Sequence, residues 1–184
     1  MIPLFRVLGA LEEQDAPPRF DRSGESYGRS DSSFNAAPFD RPSTGTPCAN
    51  FPRMYTVEIE VRTGAPRDVI FVSKEVSDAV VRSEIRDGLC LVSVPHTSCA
   101  VTLNENADPA VPSDLLRAWE AMVPNVRFEH GEDNSDAHLL SSMIGTSVTI
   151  PVIGGRLELG RWQAIWFVEL DGPRSRRLRI SCLG

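Results

Sequence analysis

The sequence lacks the features that mark nucleic-acid-binding, membrane and secreted proteins. Its formal net charge is -6, whereas binding to nucleic acid draws on neutralisation of phosphates by a basic surface. No apolar run approaches the roughly 18 residues of a membrane span. The apolar start, Met1 to Leu11, contains Arg6 and leads into acidic residues, which is unlike a signal peptide. We therefore expect no nucleic-acid partner, no membrane partner and no secretion.

Cysteine is also scarce, and its spacing is irregular. The chain has four cysteines, at Cys48, Cys90, Cys99 and Cys182. They form no CxxC pair and no compact framework, and two of them lie in apolar, strand-like segments, where a free cysteine behaves as a small buried hydrophobe. Cysteines without a disulfide framework are typical of a reducing compartment, so we predict a cytoplasmic location.

Periodic hydrophobicity is absent from the first part of the chain. Residues from about 14 to 52 are rich in Pro, Ser, Gly, Asp and Arg, and such a composition buries too little apolar surface to offset chain ordering. We predict a flexible N-terminal extension at residues 1–52 and a single domain at residues 53–184. Isolated phenylalanines leave an alternative, in which the extension lies along a neighbouring surface. Met54 is an alternative start of the protein.

From Tyr55 onward, short alternating segments replace this irregular stretch. Polar and apolar residues alternate up to Arg62, the pattern of a half-buried strand. Further strands are predicted at residues 69–72, 90–94, 100–103, 147–153, 163–170 and 176–183. Helical spacing predicts helices at residues 76–85, 113–122 and 135–144, the last two with serine N-caps. Strands interrupted by a few helices favour an α+β fold with a mainly antiparallel sheet.

Histidine is scarcer than cysteine, and its positions are informative. The chain has three histidines, at His96, His130 and His138. Each lies at the boundary of a predicted element, where scaffolds present functional side chains. Three imidazoles can hold zinc and leave a position for water or substrate. An ordinary hydrogen-bonded role for each histidine is the alternative, since the spacing of the last two is not a recognised metal motif.

A polar loop follows the strand after His96. It reads Asn-Glu-Asn-Ala-Asp from Asn104 to Asp108, and its carboxylates can supply a general base or a metal-linked oxygen. An ordinary loop with an Asx-turn is the alternative.

Further along, Trp162 and Trp166 flank and enter an apolar strand, and we expect both in the core. We expect Cys99 to be a packed cysteine, because nothing in the sequence activates its thiol.

Three blocks of this sequence, in order, resemble motifs of the YjbQ-type family, the secondary thiamine-phosphate synthases. The first block contains HTS at residues 96–98 and TLNENADP at residues 102–109. The second contains SDAH at residues 135–138 and SSMIGTS at residues 141–147. The third contains GGRL, GRWQ, Glu169 and the arginine-rich last strand. The resemblance covers roughly residues 54–184.

The resemblance implies a fold, an assembly and a reaction. The expected fold is an antiparallel, β-sandwich-like α+β domain with two or three short helices, assembled as a homotrimer with sites near the subunit boundaries. The expected activity joins a hydroxymethylpyrimidine pyrophosphate to a thiazole phosphate, with loss of pyrophosphate. The partners would then be further copies of the chain and a phosphorylated small molecule.

The resemblance also indicates which residues carry these roles. The expected metal ligands are His96, His130 and His138. The expected catalytic residues are Glu105, Asn106 and Asp108. The expected substrate-binding residues are Thr97, Asn104, Arg161, Gln163 and Arg174. Arg161, Arg174 or Arg176 would help a divalent cation to neutralise the leaving pyrophosphate.

The identity of the metal leaves alternatives for the reaction. Three histidines favour zinc, whereas a pyrophosphate substrate usually brings magnesium on oxygen ligands. A metal-dependent hydrolase, with Glu105 or Asp108 as its base, is one alternative. A non-catalytic trimeric ligand-binding protein is the other.

The chain departs from the family pattern at three positions. Asp133 and Ala164 stand where glycine is common, and Leu140 stands where lysine is frequent. Without that lysine one candidate phosphate contact is missing, so the resemblance supports the synthase activity less directly than it supports the fold.

Deletion of residues 1–50 is expected to leave the thermal midpoint and the oligomer size nearly unchanged, because their composition is not that of a packed segment. Thermal melting and light scattering of the full and shortened proteins would measure this. Insoluble or monomeric shortened protein would show that the extension packs.

Overall fold

The structure is a computed structural model, and it describes residues 52–184. This part of the chain contains eight strands and three helices. In order they are β1 (Met54–Arg62), β2 (Asp68–Phe71), α1 (Ser73–Ser83), β3 (Gly88–Ser93), β4 (Cys99–Glu105), α2 (Ala110–Met122), α3 (Ser135–Ile144), β5 (Ser147–Ile153), β6 (Arg156–Leu157), β7 (Gln163–Glu169) and β8 (Ser175–Leu183). The predicted flexible extension lies, up to residue 51, outside the described residues.

The strands form two antiparallel sheets that pack face to face. The larger sheet has the order β1-β8-β3-β5-β6, and the smaller has the order β2-β7-β4. Their inner faces and α1 enclose one core, with Val92, Phe167 and Ile180 among its buried residues. α2 and α3 cover the other face of the smaller sheet over a second core, which contains Leu140 and Trp166. The predicted α+β, sandwich-like, antiparallel fold is confirmed.

The helices lie near their predicted positions: α1 ends two residues earlier than predicted, and α2 begins three residues earlier. α3 has the predicted bounds, although Asn134 rather than Ser135 is its N-cap residue. α2 begins at Ala110, so Ser113 lies inside the helix and donates a hydrogen bond to the Ala110 carbonyl. Pro112 fits in this first turn because the first N–H groups of a helix have no intrahelical partner. No helix of the described residues is long and apolar enough to cross a membrane.

Strand register in the smaller sheet places the polar segments of the chain at opposite ends of that sheet. At one end of the β4–β7 pair, Cys99 lies opposite Glu169, and at the other end Glu105 lies opposite Gln163. Strands rise about 3.3 Å per residue. These two seven-residue strands therefore hold the two ends roughly 20 Å apart.

The two ends carry different loops. We call the end with the β3–β4 loop (94–98) and the β7–β8 turn (170–174) the histidine end. The residue before α3 is hydrogen-bonded to the β7–β8 turn, so the first turn of α3 also lies there. We call the opposite end, with the loop after β4 (106–109) and the turn before β7 (160–162), the acidic end.

A buried ion pair joins the two sheets at the histidine end. The Glu169 side chain at the end of β7 is fully buried, and the Arg176 side chain from β8 is 7% exposed. Arg176 Nε lies 2.7 Å from one carboxylate oxygen and Nη2 lies 2.6 Å from the other, so the contact is bidentate. Glu169 also accepts hydrogen bonds from the Thr63 hydroxyl and from the backbone N–H groups of Leu170 and Asp171. Its charge is therefore well compensated.

The pKa values of the pair follow from these contacts. Burial acts to raise the pKa of Glu169, but the hydrogen bonds from Arg176 and from the Asp171 N–H outweigh burial and hold it below its usual range. The hydrogen bond to Glu169 raises the pKa of Arg176. Both side chains are therefore charged at neutral pH.

Gly88→Ala is expected to lower the free energy of unfolding by about 1–3 kcal/mol, because it overpacks the contact between β3 and β8. An added Cβ would lie 2.0 Å from the Leu183 carbonyl oxygen, and backbone must move to admit it. Gly131→Ala is the control, since nothing lies within 4 Å of its added Cβ and we expect a change within about 0.5 kcal/mol. Urea unfolding measures both, and equal stabilities would contradict the close approach.

Glu169→Gln is expected to destabilise the protein by about 3–5 kcal/mol at pH 7, because it leaves Arg176 buried without its counter-charge. The folded pKa of Glu169 is depressed, so its stabilisation is complete above the unfolded pKa of about 4.3 and is lost as pH falls through the folded pKa. The difference between wild type and variant should therefore shrink as pH falls below about 4.3.

Urea unfolding between pH 3 and pH 7 measures this difference. Glu75→Gln, an exposed change on α1, is the control and should shift stability by no more than about 0.5 kcal/mol. A difference between wild type and Glu169→Gln that stays constant with pH would refute the charged pair.

Candidate functional site

All three histidines belong to the histidine end, and His130 and His138 lie close together there. His138, on the first turn of α3, has Nδ1 2.9 Å from the backbone carbonyl oxygen of Thr97. Its ring centre lies 5.4 Å from that of His130, in the loop before α3. A carbonyl oxygen only accepts hydrogen bonds, so Nδ1 of neutral His138 carries the proton and Nε2 is the unprotonated nitrogen. Thr97, a predicted substrate-binding residue, contributes its backbone here and is itself exposed.

The separation of these two ring centres is close to that of two imidazoles bound to one metal ion. Metal-binding histidines usually donate their other ring N–H to a carbonyl or carboxylate, as His138 does. Imidazoles on one tetrahedral ion, with nitrogen atoms about 2.0–2.1 Å from it, have ring centres roughly 5 Å apart. Within residues 52–184, no group of three or more His, Cys, Asp or Glu side chains is arranged to hold a metal ion. The chain thus supplies His130 and His138 as a pair of candidate ligands.

His96 makes a different contact. Its Nε2 accepts a hydrogen bond of 2.9 Å from the backbone N–H of Arg177 in β8. Burial, followed by the charges of Arg176 and Arg177, lowers the pKa of His96, so the ring is neutral with its Nε2 lone pair already engaged. The predicted three-histidine centre is therefore not assembled within one chain, because β8 holds the third imidazole.

A charged cluster lies beside α3 at the same end. Asn134 donates a hydrogen bond of 2.9 Å from Nδ2 to Asp171 Oδ2, and Arg174 Nη2 lies 2.8 Å from that oxygen. Burial acts to raise the pKa of Asp171, but the Asn134 hydrogen bond and the Arg174 charge outweigh it and lower the pKa. Asp171 is therefore ionised. Arg174, a predicted substrate-binding residue, is exposed at this end and is paired with Asp171.

The predicted catalytic loop lies at the acidic end, away from the histidines. Asn104 accepts a hydrogen bond from the Glu105 N–H, and Asp108 accepts one from the Ala110 N–H at the start of α2. The Glu105 residue is half-buried, whereas Asn106 and Asp108 are exposed. Within one chain, the length of β4 separates these carboxylates from His130 and His138.

The turn before β7 holds the remaining predicted binding residues. Gln163 accepts a hydrogen bond from the Gly160 N–H through its side-chain oxygen, and the Arg161 guanidinium lies 4.7 Å from the centre of the Trp162 ring. Trp162 is 55% exposed and Trp166 is fully buried. The expectation of two core tryptophans is therefore correct for Trp166 and wrong for Trp162, because Trp162 precedes the strand that enters the core.

Arg176 has a structural role, as the buried partner of Glu169, that the sequence analysis does not predict. The sequence predicts that Arg176 helps to neutralise a leaving pyrophosphate, whereas its guanidinium is buried against Glu169. The sequence carries a signal for this: Arg176 shares its two-residue phase with Leu178 and Ile180, which face the core. A charge in that phase requires a buried partner.

The three departures from the family pattern fit this structure. Asp133 has a φ of 55°, in the left-handed region that glycine adopts most easily and aspartate tolerates. Leu140 is fully buried under the smaller sheet and Ala164 is 1% exposed. Leu140 therefore packs in the second core.

Cys99 is a packing residue. It is fully buried, and burial raises the pKa of its thiol to about 12. Thiolate is the nucleophilic form of cysteine, so a thiol with this pKa is not a nucleophile at neutral pH. The expectation of a packed cysteine is confirmed.

The chain is similar over most of its length to proteins of one family. Residues 57–184 match the family described as UPF0047 protein YjbQ-like. A UPF0047 protein of Methanothermobacter thermautotrophicus is 39% identical over 140 residues, which cover 74% of this chain and 97% of the relative. UPF0047 protein YugU of Bacillus subtilis is 38% identical over 128 residues, which cover 68% of this chain and 97% of the relative.

Solved structures agree with these sequence matches. A YbjQ-like protein from Sulfolobus solfataricus superposes with a TM-score of 0.70 at 32% identity, covering 73% of this chain and 99% of the other. A protein from Aeropyrum pernix superposes with a TM-score of 0.67 at 39% identity, covering 71% of this chain and 98% of the other. The chain therefore belongs to the YjbQ-like (UPF0047) family, as the three sequence blocks predict.

Proposed function

We propose that this protein is a cytoplasmic, metal-dependent enzyme that makes thiamine phosphate. A hydroxymethylpyrimidine pyrophosphate would react with a thiazole phosphate, and pyrophosphate would leave. The supporting observation is the histidine pair, in which the Thr97 carbonyl holds Nδ1 of His138 and leaves Nε2 available beside His130. The choice of reaction rests on the resemblance of the three sequence blocks to the secondary thiamine-phosphate synthases.

The histidine end supplies the residues for the metal and the phosphates. His130 and His138 would hold a divalent ion, with zinc favoured by the imidazole ligands and magnesium an alternative on a pyrophosphate substrate. Such an ion stabilises negative charge that develops on a leaving pyrophosphate. Arg174 is half-exposed at the same end, and its guanidinium can exchange Asp171 for a substrate phosphate.

The site would be completed by a second copy of the chain. Glu105, Asn106 and Asp108 lie at the acidic end, together with Asn104, Arg161 and Gln163 of the substrate-binding set. One chain keeps this end roughly 20 Å from its own histidines, whereas a head-to-tail contact brings the acidic end of one copy to the histidine end of the next. Heterologous contacts of this kind form a ring when the rotation between copies closes, and the homotrimer is the ring that we propose.

Metal-assisted hydrolysis is the second candidate, and one contact favours it. The Glu132 carboxylate lies 4.0 Å from His130 Nε2, and ionised Asp171 lies at the same end. A carboxylate next to a metal-binding histidine can act as a base towards water. The two reactions differ in their product, so one assay separates them.

His130→Ala and His138→Ala are each expected to lower zinc affinity at least 10-fold, because each removes one of two imidazole ligands. Zinc titration of chelator-treated protein, in competition with a chromophoric chelator, measures the affinity. His96→Asn is the matched control and should change it by less than about 3-fold, since its Nε2 is engaged by β8. An equal loss in His96→Asn would restore the three-histidine site, and no loss in any variant would refute the site.

Incubation of the zinc-loaded protein with the two substrates, followed by chromatography, tests the reaction. Thiamine phosphate with an equal amount of pyrophosphate is expected, and release of phosphate without coupling would favour the hydrolase.

Mixed oligomers of His138→Ala and Glu105→Gln chains test the shared site: activity in the mixture, with both single variants inactive, is expected. Inactive mixtures would place the whole site within one chain.

A further inference from the structure

The buried ion pair reaches the histidine pair through the β3–β4 loop. Arg176 Nη2, which contacts Glu169, also lies 3.1 Å from the Ser98 hydroxyl oxygen and 3.4 Å from the Ser98 carbonyl oxygen. Ser98 follows Thr97, whose carbonyl oxygen accepts the hydrogen bond from His138. The guanidinium of Arg176 therefore fixes the peptide next to the one that sets the orientation of His138.

The carboxylate of Glu169 reaches the same helix by a second route. It accepts hydrogen bonds from the backbone N–H groups of Leu170 and Asp171, at 3.0 and 2.9 Å, and so holds the start of the β7–β8 turn. Asp171 in that turn accepts the hydrogen bond from Asn134. The pair thus stabilises two contacts at the start of α3, one at His138 and one at Asn134.

Stability alone does not require a charged pair at this place. The other inward positions of β8 are apolar, among them Leu178 and Ile180. Replacement of a buried ion pair by apolar side chains of similar volume is often neutral or stabilising. Apolar side chains, however, cannot bond to the Ser98 peptide or to the N–H groups of the β7–β8 turn. What the charged pair supplies beyond packing is therefore the position of these two loops.

We infer that Glu169 and Arg176 are positioning residues of the metal site. They hold His138 with its Nδ1 protonated and its Nε2 directed to the metal ion. This inference rests on the proposed function in that it concerns the same histidines. Outer contacts of this kind typically change metal affinity 10–100-fold when they are removed.

The test compares two sets of variants. The double variant Glu169→Leu with Arg176→Met keeps the volume and removes both charges together, which avoids an unpaired buried charge. Ser98→Ala keeps the ion pair and removes the hydroxyl that links it to the loop. Ser83→Ala is the matched control, because Ser83 is also a buried serine with two hydrogen bonds, at the end of α1.

Three measurements are made on each variant: the thermal midpoint, the zinc affinity by chelator competition, and the tautomer of His138 in metal-free protein by ¹⁵N NMR. The double variant is expected to fold, to show a mixture of His138 tautomers and to bind zinc about 10–100-fold more weakly. Ser98→Ala should bind zinc about 3–10-fold more weakly, the effect of one lost hydrogen bond. Ser83→Ala should bind zinc as the wild type does.

The outcomes separate this inference from the proposed function. Wild-type protein that binds no zinc refutes the proposed metal site, while the His138 tautomer in the variants still tests the positioning role. A folded double variant with the wild-type tautomer and affinity overturns the inference. If the double variant fails to fold, Ser98→Ala decides: an unchanged tautomer and affinity in that variant overturn it as well.

Discussion

Strand β7 is buried on both faces, and it ends with a carboxylate in the core between the two sheets. Glu169 is fully buried there, and a buried carboxylate is costly unless it is paired and hydrogen-bonded. Arg176 supplies the opposite charge from β8, so one bidentate contact joins the sheets at one end. The loops that leave this end are hydrogen-bonded to the same pair, and the candidate site consists of these loops. The fixed position of the histidines therefore follows from how a buried charge is compensated.

The two ends of the smaller sheet have different physical characters. At the histidine end, polar groups contact partners from distant segments: Thr97 with His138, and Asn134 with Asp171. At the acidic end, the loop side chains bond to neighbours in sequence, as the Asp108 carboxylate does to the start of α2. A preorganised end and a locally bonded end are suited to different tasks. The first can hold an ion in a set geometry, and the second can adapt to a ligand or to a neighbouring chain.

Much of the fold can be predicted from local pattern. Two-residue alternation gave β1, β5 and β8 close to their observed bounds, and helical spacing gave α3 at Ser135–Ile144. The start of α2 was missed because proline in a first helical turn resembles a helix breaker. Trp162 was misplaced because apolar character does not distinguish a residue that enters a strand from one that precedes it. The three histidines were expected at one metal site; their positions depended on tertiary contacts, which place His130 beside His138 and bond His96 to β8.

The α+β class, the phase of most strands, the family and the residue types available for chemistry can all be inferred from the order of residues. These properties depend on spacing along the chain, and spacing is a local property. Three features depend on how the sheets assemble: His130 and His138 lie together, His96 bonds to β8, and Glu105 lies at the far end of β4 from the histidine pair. Strand register sets these distances, and register depends on which strands pair across the whole fold. The partner of each polar side chain is therefore decided only when the sheets assemble.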